Sequence, residues 1–279
     1  MSGVETTAEQ ELLSVSSRED GAPRKLPRPG AGAASLAAML AGWWLLAHSG
    51  WVQPLFLPTP EAVWAKLLTV AGQGFMDATL WQHLAASLQR IALALAAAVA
   101  VGVPLGALMG RSALARGLLD PMLEAYRPVP PLAYLPLIVI WFGIGELSKV
   151  LLIFLAILAP VAIAARHGVA GVSRSRLRAA QSLGAGRGQL LWLVVLPEAL
   201  PQILTGIRIG LGAGWSTLVA AELVAATRGL GFMVQSAAQF LATDVVVLGI
   251  LVIAAVAFAL ELGLRALQRR LAPWYGQED

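Results

Sequence analysis

The chain has 279 residues, 58% of them hydrophobic and only 13% charged, with a formal net charge of +4. That little charge cannot cover the surface of a soluble domain of this length, so the composition excludes an ordinary water-soluble enzyme and indicates an all-α, polytopic membrane protein. Cys is absent, which removes disulfides, thiolate metal sites and cysteine nucleophiles.

Residues 1–30 are polar and rich in Ser, Glu, Arg and Pro. They hold too little apolar surface to offset ordering entropy, and a disordered cytoplasmic tail is expected. The first apolar block follows at 31–48, and its long polar leader argues against a cleaved signal peptide. Thr59-Pro60 reads as an N-cap with Pro at the first helical position. Trp64, Leu67, Leu68 and Ala71 then mark a short amphipathic helix. Five further apolar blocks bring the expected spans to six, near 31–48, 84–109, 131–142, 150–166, 200–224 and 245–264. Arg127-Pro128-Val129-Pro130-Pro131 must break the chain ahead of the third, which is placed from Pro131. Residues 271–279 form a short tail.

Lys and Arg in the loops set the orientation. With the N-terminus inside, the cytoplasmic segments carry Arg111, Arg116, Arg166, Arg174, Arg176, Arg178, Arg187, Arg265, Arg269 and Arg270, besides the basic residues of the tail. The outer segments carry only Lys66, Lys149 and Arg228. Both termini are therefore expected inside. Because the basic residues flank apolar spans and form no polar stripe, nucleic acid is not an expected partner; the lipid bilayer is.

Two spans carry glycines four apart: Gly102, Gly106 and Gly110 in the second, Gly206, Gly210 and Gly214 in the fifth. Such faces serve either close helix packing or gating. Arg90, Glu124, Arg208, Glu222 and Glu261 are ionisable residues at membrane depth, mostly toward span ends, and must find partners or reach the headgroups. No internal repeat and no converging set of acids points to an ion-coupled carrier. There is no G-x-x-x-x-G-K-[ST] loop, no H-E-x-x-H and no G-x-S-x-G, so no P-loop, zinc-hydrolase or serine-hydrolase site is expected. No catalytic residue and no metal ligand is assigned.

The loop between the fourth and fifth spans, 173–198, carries the most information. Ser175 is a candidate cap, and Leu177, Ala180 and Leu183 present a narrow apolar edge. Gly184 suits the left-handed position that ends a helix, and a second short helix from Gln189 to Leu196 should stop at Pro197. The expected product is a compact helical knob. Ala179, Ala180, Gly184, Val194, Leu196 and Pro197 fall in register with the EAA loop of binding-protein-dependent ABC importer permeases, which this stretch resembles. Arg178 stands where that motif has Glu.

The resemblance extends to Arg127–Pro136, Trp141–Gly145, Ala220-Ala221-Glu222 and Gly229-Leu230-Gly231, which look like the nitrate/sulfonate/taurine branch of that family. Phe75–His83 and Trp215–Glu222 are similar to its taurine-transporting members. The resemblance implies a type I ABC importer transmembrane domain in a bacterial inner membrane, moving taurine or a related aliphatic sulfonate; the alternatives are another small nutrient of the same branch, an alkanesulfonate or nitrate, and an ion-coupled secondary transporter. It implies a second copy of the permease, two ATP-binding cassette ATPase subunits that bind ATP and Mg, and a periplasmic substrate-binding protein. This chain itself would bind no cofactor. Leu177, Arg178, Ala179, Ala180, Leu183, Gly184, Leu196 and Pro197 would form the ATPase-coupling loop. The segment Gly229–Phe240 is either a docking edge for the binding protein or a short packing helix.

Overall fold

The computed structural model describes residues 31–274, which form helices, turns and one isolated bridge between Phe75 and Ala78. The expected tail at 1–30 and residues 275–279 of the terminal one lie outside the described residues. The chain divides into two units, Met1–Trp51 and Val52–Asp279. In the first, helix α1 (Ala31–His48) is apolar nearly all round, and the Trp44 and His48 rings stack 4.5 Å apart near its end.

The second unit opens with α2 (Pro60–Gly72), where Thr59 accepts a hydrogen bond from the Ala62 N–H at 3.3 Å and Pro60 starts the helix. Helix α3 (Leu80–Arg111) begins with a reciprocal cap: the Gln82 N–H donates to Thr79 Oγ1 at 3.3 Å, and the Thr79 N–H donates to Gln82 Oε1 at 2.9 Å. Helix α4 (Ala113–Tyr126) follows at once, capped by Ser112. A 3₁₀ turn (Pro131–Tyr134) leads into the short α5 (Leu135–Phe142). Then come α6 (Glu146–Ala170), α7 (Arg174–Ser182), α8 (Arg187–Ala225), α9 (Leu230–Gln239) and α10 (Thr243–Leu271).

Four of the six expected spans coincide with helices long and apolar enough to cross a bilayer: α3, α6, α8 and α10. The other two fall on the shorter apolar stretches Gly32–His48 and Pro131–Phe142. At 1.5 Å per residue, Pro131–Phe142 reaches roughly 18 Å, short of a core about 30 Å thick. The cause is local. Pro128, Pro130 and Pro131 offer no backbone donors, so α4 cannot run on into α5.

Helix α6 is the axis of the second unit, lying between α3 and α8. Both glycine stripes face it. A Cβ on Gly102 would lie 3.1 Å from Val161 Cγ1, and one on Gly110 would lie 2.8 Å from Val169 Cβ. On Gly106 it would run into the Ala162 carbonyl. From α8, a Cβ on Gly206 would strike Ala164, while on Gly210 and Gly214 it would lie 3.0 and 2.6 Å from Ile157. The two stripes thus let three backbones approach where lipid supplies no hydrophobic drive for association.

Candidate functional site

The loop between α6 and α8 is built onto the foot of α8. Glu198 Oε1 accepts the Ser173 N–H at 3.2 Å and the Arg176 guanidinium at 3.1 Å, which fixes the first turn of α7. The N-cap position is Ser173, not Ser175 as expected; Ser175 lies within the helix, its Oγ 2.6 Å from Ser173 Oγ. With the Ser173 N–H already held by Glu198, the helix is positioned without a side-chain cap. Gly184 does close α7 in the left-handed conformation, φ +84°. The Gly184 N–H donates to Gln181 O at 2.9 Å and the Ala185 N–H to Ala180 O at 3.1 Å. Two residues later the Gly186 N–H donates to Gln189 Oε1 at 2.9 Å as α8 begins.

Pro197 does not end a helix. Helix α8 runs unbroken through it, by way of a π-helical stretch (Leu190–Val195) followed by the α-helical Leu196–Ala225. A proline inside a helix removes one donor and crowds the carbonyl four residues back. The wider turn ahead of Pro197 relieves that crowding, so the stop expected from the sequence becomes a bulge. The loop is therefore attached to a 39-residue rod.

The expected apolar edge is divided between two faces. Leu177 turns inward against the cluster of Val195, Ala199 and Ile203, and Ala180 is half-buried. Leu183 is 88% exposed. Arg178, Ala179 and Gly184 are exposed, and Leu196 and Pro197 are half-buried in α8. The knob the structure presents is Leu183 with Trp192 and Leu193, both large, apolar and exposed, beside a groove lined by Ala180, Gly184, Ala185 and Gln189. Trp192 and Leu193 escaped the sequence reading. The signal was the continuous apolar run 190–196, too long for one face of a helix to bury.

At the other end of α6 lies a polar network, buried except for Glu146, which is exposed. Arg90 on α3 donates from Nε and NH2 to both oxygens of Glu146, at 2.6 and 2.8 Å. Its NH1 donates to Glu222 Oε1 at 2.6 Å and to the Arg228 carbonyl at 2.7 Å. Ser87 Oγ donates to Glu222 and accepts the Leu230 N–H at 2.9 Å, and Glu222 Oε2 accepts the Gly231 N–H at 2.8 Å. His83 Nδ1 accepts the Gly229 N–H at 3.2 Å. Lys149 donates to Glu146 Oε1 at 2.7 Å. Two cations and two carboxylates thus balance at one end of three helices, and they hold the turn that leads into α9. The sequence offered Arg90 and Glu222 as separate expensive charges; nothing in it paired them or drew in Glu146.

Of the remaining membrane-depth charges, Arg208 meets Glu261 at 3.4 Å, and Glu261 also pairs with Arg265 at 2.8 Å. Glu124 is exposed. Among the described residues, no group of three His, Cys, Asp or Glu is placed to hold a metal ion.

Residues 102–274 match the family described as binding-protein-dependent transport system inner membrane component. The chain is 70% identical over 244 residues to the taurine transport system permease protein TauC of Escherichia coli K12, covering 87% of this chain and 89% of that one. It is 36% identical to the putative aliphatic sulfonates transport permease protein SsuC of the same organism, covering 85% and 88%. Among solved structures it resembles a chain of the MetNI methionine ABC transporter in an inward-facing conformation. The TM-score is 0.61 at 16% identity, over 71% of this chain and 99% of that one, a likeness of fold.

Proposed function

This chain belongs to the binding-protein-dependent transport system inner membrane components, and on that premise we propose that it is the permease subunit of an ATP-driven importer for taurine or a closely related aliphatic sulfonate. The observation that carries the reading is the 70% identity to the taurine permease, which extends over 87% of the chain. The chain is a transport subunit, and the ATPase is a separate partner.

The rest of the assembly follows as part of this proposal. Two copies of the permease would pair in the inner membrane, each gripping one ATPase subunit that binds ATP and Mg. A periplasmic binding protein would deliver the substrate. The α6–α8 loop would face the cytoplasm with both termini, and the Arg90 network would face the periplasm. Leu183, Trp192 and Leu193 would enter a groove of the ATPase. Since they stand at the foot of one continuous helix braced by Glu198, a displacement of the ATPase would reach the bundle without being absorbed by a flexible linker. The glycine-lined contacts with α6 would be the surfaces that slide or hold as the bundle changes shape.

The energy scale requires such a partner. Concentrating a neutral zwitterion ~10⁴-fold costs about 5.5 kcal/mol. A pore cannot supply it, and this chain shows no P-loop in its sequence.

The test is uptake of labelled taurine by vesicles that contain the permease with its ATPase and binding protein. Competition by taurine should exceed competition by longer alkanesulfonates. Equal or stronger competition by the latter would move the substrate to the neighbouring sulfonate class, and uptake without ATP would refute the importer.

A further inference from the structure

Between α4, α6 and α8 lies a cavity of ≈ 230 Å³ whose polar lining comes from Arg127, His167, Gln202 and Thr205. It holds several times the volume of one liquid water, which is roughly 30 Å³. Its depth follows from the helices. Pro160, in its wall, lies 14 residues from Glu146, and Gly206 lies 16 residues from Glu222. At 1.5 Å per residue the cavity is roughly 21–24 Å from the Arg90 network, inside the span and toward the loop end. Arg127 reaches this depth because α4 climbs 14 residues before the Pro-rich break releases the chain.

Every other cation around the cavity is matched. Arg166 pairs with Asp120, and its NH2 lies 2.7 Å from His167 Nε2. Arg208, one turn away on α8, pairs with Glu261. The Arg127 guanidinium has no hydrogen-bond or ion-pair partner among the described residues, and neither has the Gln202 amide; both are exposed. An unpaired guanidinium at membrane depth faces a water-filled cavity, an anion or, from a helix end, the headgroup boundary, and the cavity is what Arg127 lines here. The Arg127 guanidinium and the Gln202 amide thus place two unpartnered polar groups on a cavity otherwise walled largely by Pro160, Ile163, Ala164 and Ile209.

We infer that Arg127, with Gln202, forms a transient substrate subsite on the translocation path, reading the sulfonate group of the passing solute. This deepens the proposed function and rests on it. A sulfonate presents three acceptor oxygens on one anionic head, which suits the planar donor fork of Arg. The Gln202 carbonyl can accept from the ammonium end of a zwitterion, and its NH₂ can donate to the sulfonate. A single wet guanidinium holds an anion weakly, as passage requires.

The test uses the complete importer in vesicles with its binding protein, with taurine uptake and ATP hydrolysis measured together. Arg127→Gln should lower taurine moved per ATP at least tenfold while hydrolysis stimulated by taurine-loaded binding protein stays within twofold. Arg127→Lys should recover part of the loss. Gln202→Leu should lower the same ratio by a smaller factor. Wild-type stoichiometry in both Arg127→Gln and Gln202→Leu overturns the inference. So does a parallel fall of uptake and hydrolysis that Lys does not relieve, since that marks a structural role. If the wild-type assembly itself moves no taurine, the proposed function fails before any variant is compared.

Discussion

Arg90 and Glu222, separated by 132 residues, form an ion pair at 2.6 Å in which the arginine side chain is 4% exposed and the carboxylate fully shielded. The pair joins α3 to α8, and the second face of the same guanidinium holds Glu146 at the start of α6. Arg90→Ala should be strongly destabilising, by about 3–5 kcal/mol, because it strands a buried carboxylate. Arg90→Lys should cost less, since it keeps the charge and loses only the fork. Thermal unfolding of the purified permease would show this as a large fall in Tm for Ala and a smaller one for Lys; an unchanged Tm for Arg90→Ala would contradict the assigned network.

Gly106 and Gly117 make a matched comparison. A Cβ at Gly106 would meet the Ala162 carbonyl and Ala165, whereas at Gly117, exposed on α4, it would meet nothing within 4 Å. Gly106→Val should force α3 off α6 and abolish folded protein in detergent. Gly117→Ala should be neutral or stabilise slightly, because Ala is the better helix former by about 1 kcal/mol. Size-exclusion profiles of the two variants separate these outcomes.

The sequence disclosed the long apolar helices, the Thr59 and Gly184 caps and the position of the informative loop, because each rests on local physics: hydrophobic length, side-chain capping and the φ freedom of glycine. Other features were hidden for non-local reasons. That Gly102 and Gly206 would both press on the same helix, α6, depends on which helices neighbour one another. Glu146 sits at a helix start and looks like an ordinary first-turn acid; only the fold brings Arg90 to it. Pro197 misled because a proline ends a helix in isolation, whereas here the π-helical turn before it accommodates the ring. The inward turn of Leu177 and the outward one of Leu183 were invisible because α7 is too short for its pattern to reveal which face the bundle covers.

Gly184→Val isolates backbone strain, since a Cβ there meets nothing within 4 Å while φ is +84°. The cost should be about 1–2 kcal/mol and confined to the loop. The Tm of the isolated permease should hold within a few degrees while ATPase stimulation and uptake fall together. Full uptake would remove this turn from the coupling mechanism.

Arg178 is exposed and makes no hydrogen bond or ion pair among the described residues, although the related motif carries Glu at that position. Arg178→Glu should therefore leave permease stability within about 0.5 kcal/mol of wild type. If the loop meets the ATPase, the reversed charge should weaken copurification of the ATPase at low salt, with the difference shrinking as salt rises. A drop in Tm would instead place Arg178 inside the permease's own packing.

Sealed vesicles bearing the permease, its ATPase and the binding protein, followed for labelled taurine and ATP at the same time, test the account at its root. Accumulation against a gradient should appear with ATP, vanish when the ATPase is omitted, and vanish with hydrolysis uncoupled when Leu183 is replaced by Asp. Accumulation by the permease alone, or full coupled transport in Leu183→Asp, would show that the helical knob at the foot of α8 does not carry the work into the bundle.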